Sequence, residues 1–197
     1  LGYDVWCVDM EGYGRSSKHR DITCDIANGV DDLATATGYI QKFRGCTDIN
    51  LYGISSGALR AAAFTEKYPD RVGRLALDAF VWTGKNSPTL VERRKKLPEF
   101  LKTKRRPIDH AFVQSIFNRD HADCADPRVV EAFAKAICEL DNSMPNGTYI
   151  DMCSHLPLVD PKKILVPTII LRGQYDGIAS VSDLLEFFEN LPNQDKQ

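Results

Sequence analysis

The fold of this chain is decided by residues 49–60, which read Ile-Asn-Leu-Tyr-Gly-Ile-Ser-Ser-Gly-Ala-Leu-Arg. The first four predict a short strand, and the alanine-rich stretch from Ala58 to Tyr68 predicts a helix that ends before Pro69. Between them lies the pattern Gly-x-Ser-x-Gly, which a chain of this length contains by chance about 0.07 times. A strand that turns sharply into a helix here strains the backbone of Ser55, at a cost of about 1–3 kcal/mol.

The predicted turn gives Ser55 the properties of a nucleophile. Gly53 and Gly57 keep side chains out of the place where the strand and helix backbones crowd together. The bend exposes the Ser55 hydroxyl to a base, and the N–H of Ser56 faces any oxyanion formed on an acyl group. A buried serine in a glycine-containing turn is the structural alternative.

Strand and helix signals alternate along the rest of the chain. The predicted strands are 3–9, 49–52, 74–79 and 167–171, and the predicted helices around them are 26–43, 58–68 and 182–189. Strands separated by helices form a parallel sheet with right-handed crossovers, an α/β fold.

The region from 86 to 159 differs from the rest of the chain in composition and pattern. It is charged, predicted to be helical and interrupted by six prolines, with helix-capping residues at Ser87, Asp109 and Asp126. We therefore predict a core of residues 1–85 and 160–197, interrupted by a helical cap insertion of residues 86–159.

Composition excludes several classes of protein. The 197 residues are 43% hydrophobic with a net charge of −2, which is ordinary for a globular protein. A chain with this charge has no net positive potential that would attract nucleic acid. No run approaches the roughly 18 apolar residues of a membrane span. The six cysteines form no Cys-x-x-Cys pair, which favours reduced thiols in a cytoplasmic protein over a secreted, disulfide-bonded one. His121 and Cys124 lack a second pair of ligands, so no metal is predicted.

Four motifs resemble the α/β-hydrolase superfamily, in its order and with its spacing. They are the Asp-x-x-Gly-x-Gly-x-Ser loop at 9–16, the Gly-x-Ser-x-Gly turn at 53–57, Tyr-Pro-x-Arg-Val at 68–72 and the stretch 166–176, which resembles the segment that delivers the catalytic acid. The resemblance implies an α/β-hydrolase fold, a mostly parallel sheet flanked by helices with a helical cap. It implies that Ser55 is the nucleophile, that Ser56 contributes to the oxyanion hole and that Asp176 orients a histidine. Asp176 also follows a predicted parallel strand, at whose carboxyl end ligands bind in open α/β sheets.

Two parts of the family pattern lie outside this sequence. The catalytic histidine follows the acid in the family, whereas His19, His110, His121 and His155 all precede Asp176. The loop that supplies the second oxyanion donor comes before the first predicted strand. We therefore expect a fold that is incomplete at both ends, part of a longer product and inactive alone, with the strand at 3–9 lacking a neighbour. His155, where the cap rejoins the core, and Trp82, after the third strand, are predicted to contact substrate.

The resemblance implies a serine hydrolase that acts on a small carboxylic ester, lactone or thioester through an acyl-enzyme. It implies a carboxylesterase-like activity (EC 3.1.1) with no cofactor and no nucleic-acid or membrane partner, and leaves C–C hydrolase and cofactor-free haloperoxidase activities open. The alternative is a non-catalytic binding or scaffold protein of the same fold. A dinucleotide-binding loop at 12–17 is disfavoured, because Ser17 occupies a position that requires glycine or alanine.

The segment from Lys85 to Arg106 is strongly basic, with nine lysines and arginines against two glutamates. A solvated helix face is the simpler interpretation of this charge. The other interpretation is a surface that attracts an anionic substrate or partner. The sequence does not predict the oligomeric state.

Overall fold

The computed structural model describes residues 2–197, along which helices and strands alternate. In chain order the elements are α1 (Ile26–Arg44), β1 (Ile49–Ile54), α2 (Ser56–Lys67), β2 (Val72–Asp78), α3 (Pro88–Lys95), α4 (Leu97–Lys102), β3 (Arg105–Pro107), α5 (His110–Asn118), α6 (Pro127–Leu140), β4 (Ser143–Pro145), α7 (Gly147–Ser154), β5 (Thr168–Leu171) and α8 (Val181–Asn190). None of these helices is both long enough and apolar enough for a membrane crossing.

A parallel sheet with the strand order β1–β2–β5 lies at the centre of the described residues. Leu51 of β1 is opposite Leu75 of β2, and Leu77 of β2 is opposite Ile170 of β5. Both connections pass through helices, as parallel neighbours require, and this arrangement confirms the predicted α/β class. All three strands end at the same edge of the sheet, and the fully buried core residues beside them include Leu59, Phe64, Phe80 and Phe187.

Helix α1 shows why the predicted helices form where they do. The Asp25 carboxylate accepts a hydrogen bond from the backbone N–H of Asn28, and the Asn28 side chain accepts one from the N–H of Asp25. This reciprocal cap satisfies two N–H groups that a helix start otherwise leaves unpaired. Gly45 ends the helix in the left-handed conformation, at φ 66°. The buried side chains recur at helical spacing and include Ile26, Val30, Leu33 and Ile40.

Arg71, in the Tyr-Pro-x-Arg-Val motif, fastens the end of α2 to α1. Its guanidinium donates to the carbonyl oxygen of Ala34 at 2.9 Å, to the hydroxyl of Thr37 at 2.5 Å and to the side chain of Gln41 at 3.1 Å. The motif therefore acts in packing, since it joins two helices that lie side by side.

The predicted strand at residues 3–9 is wrong for the described structure. Residues 2–10 form neither helix nor strand, and Tyr3 and Val5 are 79% and 77% exposed. A strand needs a neighbour that accepts and donates its backbone hydrogen bonds. None of the described strands pairs with this segment, so its apolar pattern alone does not make it a strand.

The chain between β2 and β5 contains α3 to α7 and a short antiparallel ribbon of β3 and β4. Ser87, Asp109 and Asp126 cap α3, α5 and α6, each by accepting a backbone N–H, as predicted. The ribbon was not predicted, because strands of three residues are too short to show a period. The division of the chain into core and cap stays a prediction.

The glycine-rich loop at 11–17 holds this middle region against the core. Gly14 has φ 54°, and a Cβ added there would lie 2.6 Å from Asp9 Cγ, so the loop requires glycine. Asp141, after α6, accepts a hydrogen bond from the N–H of Gly14 at 2.8 Å and pairs with Lys18 at 2.6 Å. Arg105 donates to the carbonyl oxygen of Gly12 at 3.0 Å.

Candidate active site

Ser55 lies at the corner between β1 and α2, and its backbone is strained. Its φ of 55° and ψ of −120° are unusual for a residue with a side chain. Its N–H donates to the carbonyl oxygen of Asp78 at 2.9 Å, which fixes the corner to the end of β2. The residue is exposed, and within residues 2–197 its hydroxyl makes no capping hydrogen bond to α2. The predicted strand-to-helix turn is therefore present, and the role of Ser55 as nucleophile stays a prediction.

The two glycines of the turn are under different constraints. A Cβ at Gly53 would lie 2.7 Å from Ala58 Cα, which no real side chain tolerates. A Cβ at Gly57 would meet nothing within 4 Å among the described residues. The prediction that both glycines relieve crowding is thus right for Gly53 and wrong for Gly57, because the first turn of α2 points position 57 away from the other described residues.

This difference predicts opposite results for two otherwise equal substitutions. Gly53→Ala in the full-length protein is expected to lower the free energy of unfolding by about 3 kcal/mol, because the backbone of α2 must move. Gly57→Ala is the matched control and is expected to change it by less than about 1 kcal/mol, because alanine is the better helix former. Urea unfolding followed by circular dichroism measures both, and equal stability of the two variants would contradict the assignment of the close contact to Gly53.

Ser56 is the first residue of α2, where helix geometry provides no acceptor for the N–H. This N–H is the predicted oxyanion donor, and the positive end of the helix dipole lies at the same place. The Ser56 hydroxyl lies 3.5 Å from Nη1 of Arg60, one turn further along the helix. Ser56, Gly57 and Arg60 also line a cavity of about 1340 Å³ between β1 and residues 2–8. The role of Ser56 in catalysis stays a prediction.

Asp176 lies in the turn after β5 and has one occupied and one unoccupied carboxylate oxygen. Oδ1 accepts the N–H of Ile178 at 2.7 Å. Oδ2 is buried and has no hydrogen-bond donor among residues 2–197. A buried oxygen without a partner costs about 1–3 kcal/mol, so its retention suits a group that acts on another molecule or segment. The predicted catalytic role of Asp176 remains to be tested.

His155 is held by Asp151 rather than by Asp176. Its Nδ1 lies 2.8 Å from Oδ1 of Asp151, and the other oxygen of Asp151 accepts the N–H of Ile26 at 2.8 Å. The imidazole is exposed at the end of α7. His155 is thus oriented by a buried carboxylate, and its contact with substrate stays a prediction.

Trp82 is built into the packing between the core elements. Its indole N–H donates to the carbonyl oxygen of Val159 at 3.0 Å, and its ring meets the ring of Phe187 edge-on at 5.8 Å. Because its single hydrogen-bond donor is occupied by Val159, the indole of Trp82 has no N–H left to donate to a ligand. Its predicted contact with substrate is not tested by this geometry and stays a prediction.

Asp183 is a structural residue of this region that the sequence analysis missed. Its fully buried carboxylate accepts the backbone N–H groups of Trp82, Thr83 and Gly84 at 3.1–3.2 Å. It thereby fastens the start of α8 to the loop that follows β2. No pattern indicates this contact, because the partners lie about 100 residues apart in the chain.

The described residues contain no preformed metal centre. Within residues 2–197 there is no group of three or more histidine, cysteine, aspartate or glutamate side chains suited to a metal ion. His121 and Cys124 contact each other at 3.0 Å, and the His121 ring stacks on Tyr175, beside Asp176, at 3.9 Å. All six cysteines are free thiols, and burial raises the pKa of the Cys24 and Cys153 thiols.

Comparison with known proteins identifies a family for the whole chain. The sequence profile of the family described as serine aminopeptidase, S33, matches residues 1–197. No curated protein matches the chain.

Similar solved structures include an esterase from Thermogutta terrifontis, with a TM-score of 0.69 and 23% identity over 96% of this chain and 67% of that one. An enol-lactonase from Burkholderia xenovorans has a TM-score of 0.64 and 19% identity over 96% of this chain and 68% of that one. A thioesterase domain from the curacin biosynthetic pathway has a TM-score of 0.58 and 20% identity over 96% and 71%. At these identities the likeness shows a shared α/β-hydrolase fold.

Proposed function

Because the chain belongs to the serine aminopeptidase S33 family of α/β-hydrolases, we propose that it hydrolyses a small ester, lactone or thioester through an acyl-enzyme on Ser55. The observation that carries this proposal is the strained corner at Ser55, which leaves an exposed hydroxyl beside the N-terminus of α2. The similar solved structures include an esterase, an enol-lactonase and a thioesterase domain, and all three of these names denote acyl-group hydrolysis.

In the proposed reaction the Ser55 Oγ bonds to the acyl carbon as a base removes its proton. The Ser56 N–H stabilises the oxyanion, and a donor of this kind contributes about 10²–10³ in rate. The proton then passes to the leaving group as its bond to the acyl carbon breaks. Water, activated by the same base, hydrolyses the acyl-enzyme and restores Ser55.

We assign the base to a histidine outside residues 1–197 that donates to Oδ2 of Asp176. Two observations support this assignment. Oδ2 is buried and has no donor within the described chain, and the histidine with a carboxylate partner at 2.8 Å, His155, is bound to Asp151 instead. The carboxylesterase-like subclass, a cytoplasmic location and substrate contacts by Trp82 and His155 belong to the same proposal.

A fluorophosphonate probe tests the nucleophile directly, because it forms a stable bond only with an activated serine. We expect the full-length protein to be labelled once, and peptide mass spectrometry to place the label on Ser55. Heat-denatured protein is the control and is expected to remain unlabelled, because activation requires the folded corner. A label on another serine would contradict the assignment, and a folded protein that takes up no label would favour the non-catalytic binding or scaffold alternative.

A further inference from the structure

Arg60, on α2, is a buried cation that forms no ion pair with the residues the structure describes. It is 6% exposed. Its Nε is enclosed without a hydrogen-bond acceptor, and its Nη1 donates to the hydroxyl of Ser56 at 3.5 Å. Its Nη2 has no acceptor within residues 2–197 and, unlike Nε, is not enclosed. A buried charge is normally paired, because its desolvation otherwise opposes folding.

The packing of α1 shows that the chain is built around this side chain. Gly29 lies within α1, and a Cβ added there would lie 2.3 Å from Cδ and 2.4 Å from Nε of Arg60. Glycine weakens a helix relative to alanine, so its presence here is explained by the space that Arg60 occupies. The guanidinium also lies over the ring of Tyr13, 5.4 Å from its centroid. These contacts fix the position of the arginine.

The guanidinium of Arg60 reaches back to the N-terminus of α2. Ser56 is the first residue of this 12-residue helix, and the 3.5 Å contact with its hydroxyl places the charge there. The N–H groups of Ser56 and Gly57 have no acceptor within the helix, and the positive end of the helix dipole lies at the same place. Two positive features thus converge on one point, which favours an anion between them.

A cavity gives a ligand access to this point. Ser56, Gly57, Arg60 and Tyr13 all line the cavity of about 1340 Å³ between β1 and residues 2–8. Ligand sites commonly measure about 300–1,000 Å³, so this space is large enough for a small molecule or for a further segment of polypeptide.

We infer that Arg60 binds a carboxylate in this cavity, at the N-terminus of α2. The planar guanidinium matches the two oxygens of a carboxylate, and the Ser56 hydroxyl lies beside it as a further donor. A phosphate carries three oxygens and more charge, and therefore needs more donors than this point offers. The carboxylate belongs either to a small molecule or to polypeptide outside residues 1–197. This inference does not rest on the proposed function, because binding needs no turnover.

Thermal unfolding of the full-length protein over a range of pH tests for a carboxylate of the protein itself. In that case we expect Arg60→Met to lower Tm by about 5 °C at pH 7. A carboxylate paired with Arg60 has its pKa lowered in the folded protein, so it stabilises the fold above about pH 4 and loses this effect as the pH falls. The difference in Tm should therefore shrink between about pH 5 and pH 3.

Arg71→Met is the matched control for this pH series. Arg71 donates only to neutral groups, the side chains of Thr37 and Gln41 and the carbonyl oxygen of Ala34. Its loss should lower Tm by an amount that does not change over the same range of pH. If Arg60→Met does not fold, Arg60→Lys replaces it and is expected to show a smaller loss with the same dependence on pH, because lysine retains the charge without the planar donors.

Calorimetric titration of the full-length protein tests for a small-molecule carboxylate. The probes are sodium butyrate and butyramide, which have the same size and differ in charge. In that case we expect the wild type to bind butyrate at least about 10-fold more tightly than butyramide, and Arg60→Met to lose this preference. Arg60→Lys should lie between the two, and Arg71→Met should bind butyrate as the wild type does.

Either result supports the inference and identifies the source of the carboxylate. A loss of Tm that shrinks in acid indicates a segment of the protein, and binding of butyrate that depends on Arg60 indicates a small molecule. The inference is overturned if the effect of Arg60→Met on Tm is the same at every pH and butyrate does not bind. Binding of inorganic phosphate in place of butyrate, with no change of the Tm difference in acid, would also overturn it. Fluorophosphonate labelling of Ser55 is read separately, so either proposal can fail while the other stands.

Discussion

Replacing Ser55 with alanine in the full-length protein is expected to lower kcat for ester hydrolysis by about 10⁶-fold. The substitution removes the atom that forms the acyl-enzyme, so the reaction must proceed by direct attack of water. The fold should persist, because the corner depends on the Ser55 backbone N–H, which alanine retains in its bond to Asp78. Alanine at φ 55° bears the same backbone strain as serine.

Steady-state hydrolysis of a 4-nitrophenyl ester, with circular dichroism as the check on folding, measures this loss. Ser115→Ala, an exposed serine on α5, is the control and should keep the wild-type rate. A folded Ser55→Ala protein that retains more than about 1% of wild-type kcat would remove Ser55 from the mechanism, because loss of a nucleophile costs far more than 100-fold.

Replacing Asp176 with asparagine is expected to lower kcat by about 10⁴-fold in the full-length protein. The amide oxygen can still accept the N–H of Ile178, so the turn after β5 should be preserved. At the position of Oδ2 the amide presents an N–H group instead of an acceptor. A histidine that donates to this oxygen would then turn to the wrong tautomer and lose its role as base.

The effect of Asp176→Asn is measured as kcat over a range of pH. Urea unfolding confirms that its stability is unchanged. Asp70→Asn, an exposed aspartate in the turn before β2, is the control. Wild-type turnover in Asp176→Asn would show that Oδ2 binds nothing that the reaction uses, and the assignment of Asp176 would fail.

Much of the architecture could be predicted because it depends on contacts between near neighbours in sequence. Helix α1 was predicted over 26–43 and spans Ile26–Arg44, since its cap and its apolar face are both formed by residues three or four positions apart. The corner at Ser55 was predictable for the same reason, because Gly53 and Ala58 crowd each other within six residues.

The strand prediction for residues 3–9 was wrong because strand formation depends on a partner that is distant in the sequence. Residues 3–9 have the apolar pattern of a strand, yet no described strand pairs with them. Trp82 also contacts distant residues, because its indole N–H donates to Val159 and its ring meets Phe187, and its contact with substrate stays a prediction. Backbone pairing and side-chain packing of this kind depend on distant partners, such as Val159, which lies 77 residues from Trp82, and no local pattern contains them.

The basic segment from Lys85 to Arg106 contains both predictable and unpredictable features: its charge follows from the sequence, whereas the burial of individual residues does not. Its charge is plain in the sequence, and residues such as Lys95 and Lys96 are exposed, as a solvated face requires. Arg93 and Arg106 differ from these neighbours because α7 brings the Tyr149 ring against both. A count of charges could not separate the two groups, because burial is a property of what packs against a residue.

The amino-acid sequence by itself determined the family, the α/β class, the boundaries of α1, α2 and α8 to within two residues, and the corner that carries Ser55. Short-range hydrogen bonds and steric contacts govern these features, and they are formed by residues adjacent in the chain. Only the tertiary structure decided the burial of Asp183, the free oxygen of Asp176 and the meeting of Arg93 with Arg106. These depend on which distant groups exclude water and which supply a hydrogen-bond partner, and that is settled only when the chain has packed.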